Sequence, residues 1–439
     1  SSTIGAGATL AVQTYNNVQP VRGDVYQVIS NATGNPRHVS GTFAHVTFDA
    51  DGAAGSGAAV ENAAVLFDVN TGRVIATGLN AAGSTYGQLV PADSQQSFVD
   101  TLFDNALIAP SQIDTSSITG ALAYAVVVTP ASAKPMIERF TPTVYSGMAG
   151  VAALGDNALA RFALAGDKKA GQANGGVTFF AGSMLQKGDA ADDSDLRRND
   201  YYVGAEYAFN PGTTAGLIVS KSDGKVRSDL CRDDADGVTG IAYASKRLGD
   251  FVVSAAAGYG TMDHDLDRQT FLGSVSASAD TKTWLGGLGV TYTGLRFGDV
   301  SLVPAAQLLY THTKTDGFAE TGAADALAND GSTAKAFSGR LGATVRWSTL
   351  FGGRAFGIEG SAFVDHAFSD DLGGVDARLV GTPAFRYRIE YPENERTAAV
   401  LGAGIGYDVT ANSTLSLGGE VRLGDQSSRQ LNITYRFAF

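Results

Sequence analysis

The chain has 439 residues, with 32 Lys plus Arg against 44 Asp plus Glu, a formal charge of −12. Hydrophobic residues reach 44% and charged ones only 17%, which excludes disorder, a state that needs few apolar side chains and dense charge. A pI near 4.9 leaves no basic face to release counterions from phosphates, so nucleic acid is not an expected partner, and a single cysteine, Cys231, excludes a disulfide framework and a cysteine-based zinc site.

In chain order, Ser1-Ser2-Thr3 carries no signal peptide, and the chain reads as processed or trimmed. Residues 4–12, 24–29 and 41–48 are short apolar strands separated by Gly, Asn and Pro. Val65-Leu66-Phe67 and Val74-Ile75-Ala76 flank Asn70-Thr71-Gly72, a hairpin turn. These strands are too few for a self-sufficient core and suggest the last rungs of a stacked β-structure. Residues 93–108, with Phe98, Leu102, Phe103 and Ile108, fit a short amphipathic helix begun by Asp93 or Ser94. Two further apolar segments follow, at 118–128 and 136–140.

Residues 144–165 lack Pro and are rich in Ala, with Met148, Val151, Leu154, Leu159, Phe162 and Leu164 interrupted by Gly147, Gly150 and Gly155. As a helix they span roughly 33 Å, about the thickness of a hydrocarbon core. Two placements fit: an amphipathic helix on a surface, or a helix threaded through a barrel lumen. In the second, small side chains suit the space and Asp156 or Arg161 pairs with lumen charges.

No apolar run approaches the roughly 18 residues of a membrane-spanning helix, but a barrel strand needs only about ten alternating residues. From about 176 to the end that alternation is regular. Leu431, Ile433, Tyr435, Phe437 and Phe439 alternate with Gln430, Asn432, Thr434, Arg436 and Ala438, and the segments around 201–209, 337–347 and 415–423 repeat the pattern. A soluble sandwich alternates too. Here the polar faces carry Glu206, Arg340, Arg346, Glu359, Asp365, Glu420, Arg422 and Arg436, a mixture of signs that suits a wet lumen. Tyr and Phe gather at strand ends, as interfacial girdles do. Connections alternate between short (near 211, 249, 298, 352 and 411) and long (186–199, 222–236, 261–281, 313–334 and 367–396), with a sixth on the long side, 424–428, that is short. This arithmetic makes twelve strands, and the reading is an all-β fold: a closed, antiparallel, twelve-stranded transmembrane β-barrel with a lumenal α-helix, preceded by a short β-helix-like remnant.

Evidence for catalysis is thin. His38, His45, His264, His312 and His366 have no nucleophile elbow or Gly-Asp-Ser motif beside them. Acidic clusters at Asp189, Asp192, Asp193 and Asp195, at Asp233, Asp234 and Asp236, and at Asp263, Asp265 and Asp267 lack the Gly and terminal Glu of a calcium loop and read as solvated outer loops. Cys231 reads as a free thiol in the second of them. Arg22-Gly23-Asp24 reads as a chance match at a strand onset. No catalytic residue, metal or cofactor is expected.

At this point the chain resembles the monomeric (type Va) autotransporters. The resemblance rests on residues 397–407 (TAAVLGAGIGY), on Ile433-Thr434-Tyr435-Arg436-Phe437-Ala438-Phe439, on Leu248-Gly249-Asp250-Phe251 followed by Gly258-Tyr259-Gly260, on residues 137–145 (IERFTPTVY), and on residues 23–29 with 39–43. It implies four regions: 1–90, the closing rungs of a passenger β-helix; 91–143, a linker with short helices; 144–170, a pore-plugging helix; and 171–439, the translocator barrel. It further implies secretion or surface display of the chain's own passenger, in the outer membrane of a Gram-negative bacterium and without enzymatic activity. An alternative is a structural anchor or pore protein that does no secretory work. Tyr435, Phe437 and Phe439 resemble the signal read by the barrel-assembly machinery. Implied partners are that machinery, periplasmic chaperones, outer-membrane lipids, lipopolysaccharide and the passenger, around a monomeric barrel. Some family members cut themselves beside an Asn in the pore helix. Asp156-Asn157 is the candidate here, although the family's paired Asn is absent.

Overall fold

The structure, a computed structural model, describes residues 2–13, 21–28, 39–49, 65–77, 79, 86–90, 93–109, 111–128, 135, 137–142, 144–165, 176–190, 194–270, 272–371, 373–391, 395–424 and 426–439. It divides into two compact units, 1–142 with 376–390 and 143–375 with 391–439.

The second unit is built on twelve antiparallel strands closed into a ring: β1 (Val177–Asp189), β2 (Asp195–Asn210), β3 (Thr213–Arg227), β4 (Cys231–Leu248), β5 (Phe251–Gln269), β6 (Ser274–Tyr292), β7 (Val300–Thr315), β8 (Ser332–Phe351), β9 (Arg354–Asp371), β10 (Thr397–Thr410), β11 (Ser413–Leu423) and β12 (Ser428–Ala438). β12 returns to β1 with Phe179 opposite Phe437 and Ala181 opposite Tyr435. Among the described residues, that seam leaves the ring without an unpaired edge. The period-2 pattern decides what faces where. Val203 is 60% exposed, Leu217 53% and Leu341 69%, whereas Tyr202, Ile218 and Ser220 point inward and are buried. An apolar outer band of this extent is an aggregation surface in water and a matched surface in lipid. Aromatic clusters mark its lower rim, with Phe351 beside Phe356 and Tyr407, and Phe439 beside Phe179 and Phe437. Tyr259, Trp284 and His312 form an upper group.

The tight turns fall at one end. Between β8 and β9, Gly352 and Gly353 both take positive φ, 59° and 76°, the pair of left-handed residues that a type I′ hairpin requires. At the other end the structure departs from expectation. Most of the expected outer loops at 186–199, 222–236 and 261–281 are strand: β1 pairs with β2 out to Asp189–Asp195, β3 with β4 out to Arg227–Arg232, and β5 with β6 out to Gln269–Ser274. Their polar residues still alternate, so the ladders continue past the apolar band. Asp233, Asp234, Asp236, Asp263, Asp265 and Asp267 are accordingly strand residues, while Asp192 and Asp193 lie outside the described residues.

In the first unit, Thr9–Gln13 runs parallel to His45–Asp49, with Leu10 opposite Val46, and Ser2–Thr3 runs parallel to Val39–Ser40. Parallel, in-register pairing is the signature of stacked rungs. Val65–Asp68 and Arg73–Ala76 form the expected hairpin, but in a mixed five-stranded sheet rather than in further rungs. Asp68, fully buried, builds its turn: its Oδ1 accepts the Asn70 N–H at 3.0 Å and its Oδ2 the Thr115 hydroxyl at 2.8 Å. Helices α1 (Asp93–Ala106) and α2 (Ile118–Val128) belong to this unit. Phe98 of α1 packs edge-on against Tyr387 and beside Phe140, and the Tyr387 hydroxyl donates to the Phe140 carbonyl. Arg22 is turned to structural use, donating to the carbonyls of Leu89 at 2.7 Å and Val126 at 2.8 Å, and Asp24 accepts the Val21 N–H. The Arg22-Gly23-Asp24 triplet is thus committed within its own unit.

Candidate functional site: a helix within the barrel and its charged cradle

Helix α3 (Tyr145–Leu164) lies inside the ring. Its last turns present Leu159, Ala160, Ala163 and Leu164, which share a core with Phe180, Met184, Ile218, Ile241, Leu285 and Leu309 from the inner face of the barrel. The Ser254 hydroxyl donates to the Leu164 carbonyl at 2.7 Å, occupying one of the acceptors that a helix end leaves over.

Halfway along, the contact becomes ionic. Arg198 of β2 is 1% exposed. Its guanidinium reaches Asp156 of α3 at 2.7 Å and Asp200 of β2 at 3.0 Å, and it donates to the helix carbonyls of Val151 at 3.2 Å and Ala152. Thr239 donates to Asp156 at 2.6 Å and Ser220 to Asp200 at 3.1 Å. A dry guanidinium between two dry carboxylates is stable only when each is hydrogen-bonded this fully. The approach depends on Gly155: a Cβ there would lie 2.1 Å from Arg198 Nε. Two residues on from that glycine, the Thr311 hydroxyl donates to Asn157 Oδ1 at 2.6 Å.

The opposite wall is polar. A cavity of about 530 Å³ lies beside α3, lined by Asn157, Arg161 and Phe162 of the helix and by the charged residues of β8 to β12. Arg340 binds Asp365 through two bonds, 2.7 and 3.0 Å, and Glu420 at 3.0 Å. Arg346 donates to Glu359 at 3.0 Å. Arg422 lies 3.7 Å and Arg161 3.9 Å from Asp365, and Arg161 also reaches Gln307 and Ser338. Glu206 joins Arg436 at 3.1 Å and the Tyr243 hydroxyl at 2.7 Å, while the Arg436 guanidinium sits over the Phe180 ring. Outside the membrane band, Asp316 takes a hydrogen bond from Lys282, which with desolvation opposing it holds that carboxyl below its ordinary range.

The family model of the autotransporter β-domain matches residues 177–420 of the chain. The chain belongs to the autotransporter family. It is an outer-membrane translocator of a Gram-negative bacterium that carries its own passenger to the cell surface. The translocator domain of autotransporter NalP from Neisseria meningitidis is 16% identical, with a TM-score of 0.56 over 68% of this chain and 100% of its own. The β-domain of the Bordetella autotransporter BrkA is 17% identical, with a TM-score of 0.49 over 61% and 100%. The transport unit of AIDA-I from Escherichia coli is 11% identical, with a TM-score of 0.42 over 69% and 99%. Among curated proteins none matches the chain. The family is one of transporters, and no enzymatic activity is indicated.

In this translocator Arg161, Glu206, Arg340, Arg346, Glu359, Glu420, Arg422 and Arg436 meet around one lumen. Tyr435, Phe437 and Phe439 lie together on the β12 side of the closing seam, Phe439 being 75% exposed. His264 Nδ1 lies 2.8 Å from Asp233 Oδ2, His366 Nδ1 lies 2.7 Å from Thr397, and His312 packs edge-on to Trp284. His38 lies outside the described residues. Sequence reasoning missed Arg198, Asp200, Arg268 and Glu320. Arg198 and Asp200 share the inward parity of Tyr202 and Glu206, a signal hidden once 186–199 is taken as loop.

Proposed function

We propose that the passenger leaves through this lumen and that α3 afterwards plugs it, remaining continuous with the barrel. The carrying observation is the Arg198 cradle, which fastens the middle of α3 to the wall at Asp156 and at two of its own carbonyls. Passenger folding outside supplies the drive, since no nucleotide is at hand in the outer membrane. The proposal assigns 1–90 to the end of the passenger, 91–143 to a linker, 144–170 to the plug and 171–439 to the barrel, and it assigns no catalysis to any of them. Asp156 and Asn157 are taken as anchors of the helix rather than as a cleavage site, because both side chains are engaged by the wall.

We also propose that the lipid-facing Tyr435, Phe437 and Phe439 are read by the assembly machinery after periplasmic chaperones deliver the chain. The outer band then meets lipopolysaccharide, and the barrel works as a monomer. The test is planar-bilayer conductance of the full chain against a chain lacking 145–164, together with intact mass. The full chain is expected to conduct weakly, the deletion strongly, and the mass to show an uncut 156–157 bond. A full chain as conductive as the deletion overturns the plug, and two fragments meeting at that bond overturn its continuity.

A further inference from the structure

Residues 316–331 join β7 to β8 at the end opposite the tight turns. Phe318–Ala319 pairs with Leu327–Asn329 in a small hairpin, and between these strands the chain projects Glu320, which is 1% exposed. Glu320 accepts from Arg268 Nε of β5 at 2.7 Å, from Arg268 Nη2, from the Leu327 N–H at 2.8 Å, and from the hydroxyl of Tyr145, the first residue of α3. Phe318 stands edge-on to the Tyr145 ring at 5.2 Å. The segment is tied down on its other side as well. Asp325 accepts from the Thr270 hydroxyl at 2.7 Å and the Leu272 N–H at 3.0 Å, and Thr321 exchanges both backbone bonds with Ser276 at 2.9 Å.

We propose that 316–331 is a latch that fastens the N-terminal turn of the plugging helix to the rims of β5 and β6, with Glu320 as the bolt shared between Arg268 and Tyr145. This deepens the plug reading and rests on it. The helix is then held at three levels: by the apolar core at its C-terminal turns, by Arg198 at its middle and by Glu320 at its start. The chemistry explains why a carboxylate serves. A charged acceptor can bridge a guanidinium and a phenol at once, and in this dry site each contact strengthens the others. Lifting the latch takes the Glu320 carboxylate away from a buried arginine, an unfavourable change that keeps the closed form populated. Glu320 gains its Tyr145 contact only when the helix start has arrived, so the bolt is complete only on a filled lumen.

The experiment compares single-channel records of the full chain, Glu320→Gln, Tyr145→Phe and the 145–164 deletion, each shown to be folded by its heat-modifiable gel mobility. Glu320→Gln is expected to open several-fold more often than the parent, toward the level of the deletion. Tyr145→Phe, which keeps every charge and answers the question if Glu320→Gln fails to fold, should fall between. In a Cys231→Ser background, Ser276→Cys with Thr321→Cys places a disulfide across a hydrogen-bonded cross-strand pair, whose roughly 5.5 Å Cα separation suits one. Oxidised, it should return Glu320→Gln to the quiet state, and dithiothreitol should release it. Quiet records from both single variants beside an open deletion overturn the latch and leave the plug standing. A deletion no more conductive than the full chain overturns the plug, and the latch with it. Openings that persist in the oxidised double-cysteine protein overturn the latch.

Discussion

Gly155 and Arg198 show how one contact sets the identity of two positions. The guanidinium lies across the helix where only a hydrogen fits, with Asp200 Oδ2 2.5 Å from the site of a Cβ as well. In an exposed helix Gly→Ala stabilises by up to about 1 kcal/mol. Here Gly155→Ala is expected to do the reverse, because the methyl group must push Arg198 out of reach of Asp156 or tilt the helix off its seat. Losing one partner of a buried pair costs about 3–5 kcal/mol. Urea unfolding in detergent should show a loss of at least about 1 kcal/mol, a fraction of that full cost, with raised conductance as a second readout. A Gly155→Ala protein as stable and quiet as the parent would show that the cradle yields freely. The residue types here were open to sequence reading, but the pairing was not. Asp156 and Arg198 are 42 positions apart, and only barrel closure around the helix makes them neighbours.

Among the strands, β3 to β6 carry an unusual row. The register sets Asp223 opposite Asp236, Asp236 opposite Asp263 and Asp263 opposite Asp280, all on the outer face of ladders that run beyond the apolar band. Like charges directly opposite one another destabilise a sheet by roughly 0.2–1 kcal/mol per pair. Replacing Asp236 and Asp263 together by Asn is therefore expected to raise the urea midpoint at low salt, with the gain shrinking as salt screens the row. A gain independent of salt would point to something other than repulsion. Most of these acidic residues were legible as exposed, but neither their strand setting nor the full burial of Asp233 beside His264 was, since Asp-rich stretches resemble loops until the partner strand is known. The helix shows the same limit: its small side chains were readable, whereas the apolar seat on β1 to β7 and the charged wall on β8 to β12 arise from which inner faces it meets.

For the whole molecule, the parallel pairs in the first unit are the part with a direction to template. Val46, Phe67 and Val74 share a core with Leu10 and Val12, so the last rung is closed by the hairpin beneath it. A passenger stacking on that rung would find its end already formed. Removing 1–90 is expected to leave the barrel inserted and heat-modifiable while slowing surface display of a fused passenger, followed by protease accessibility on whole cells. Equal display rates with and without those residues would remove templating from the account. The strand count, the two-faced strands and their turns were readable from the residues alone, because alternation and turn chemistry are local and a lipid face needs no partner to be recognised. Which charges pair, how far the ladders run past the apolar band and what holds the helix emerged with the folded chain. Those depend on register and closure, where residues distant in the chain meet at hydrogen-bond distance.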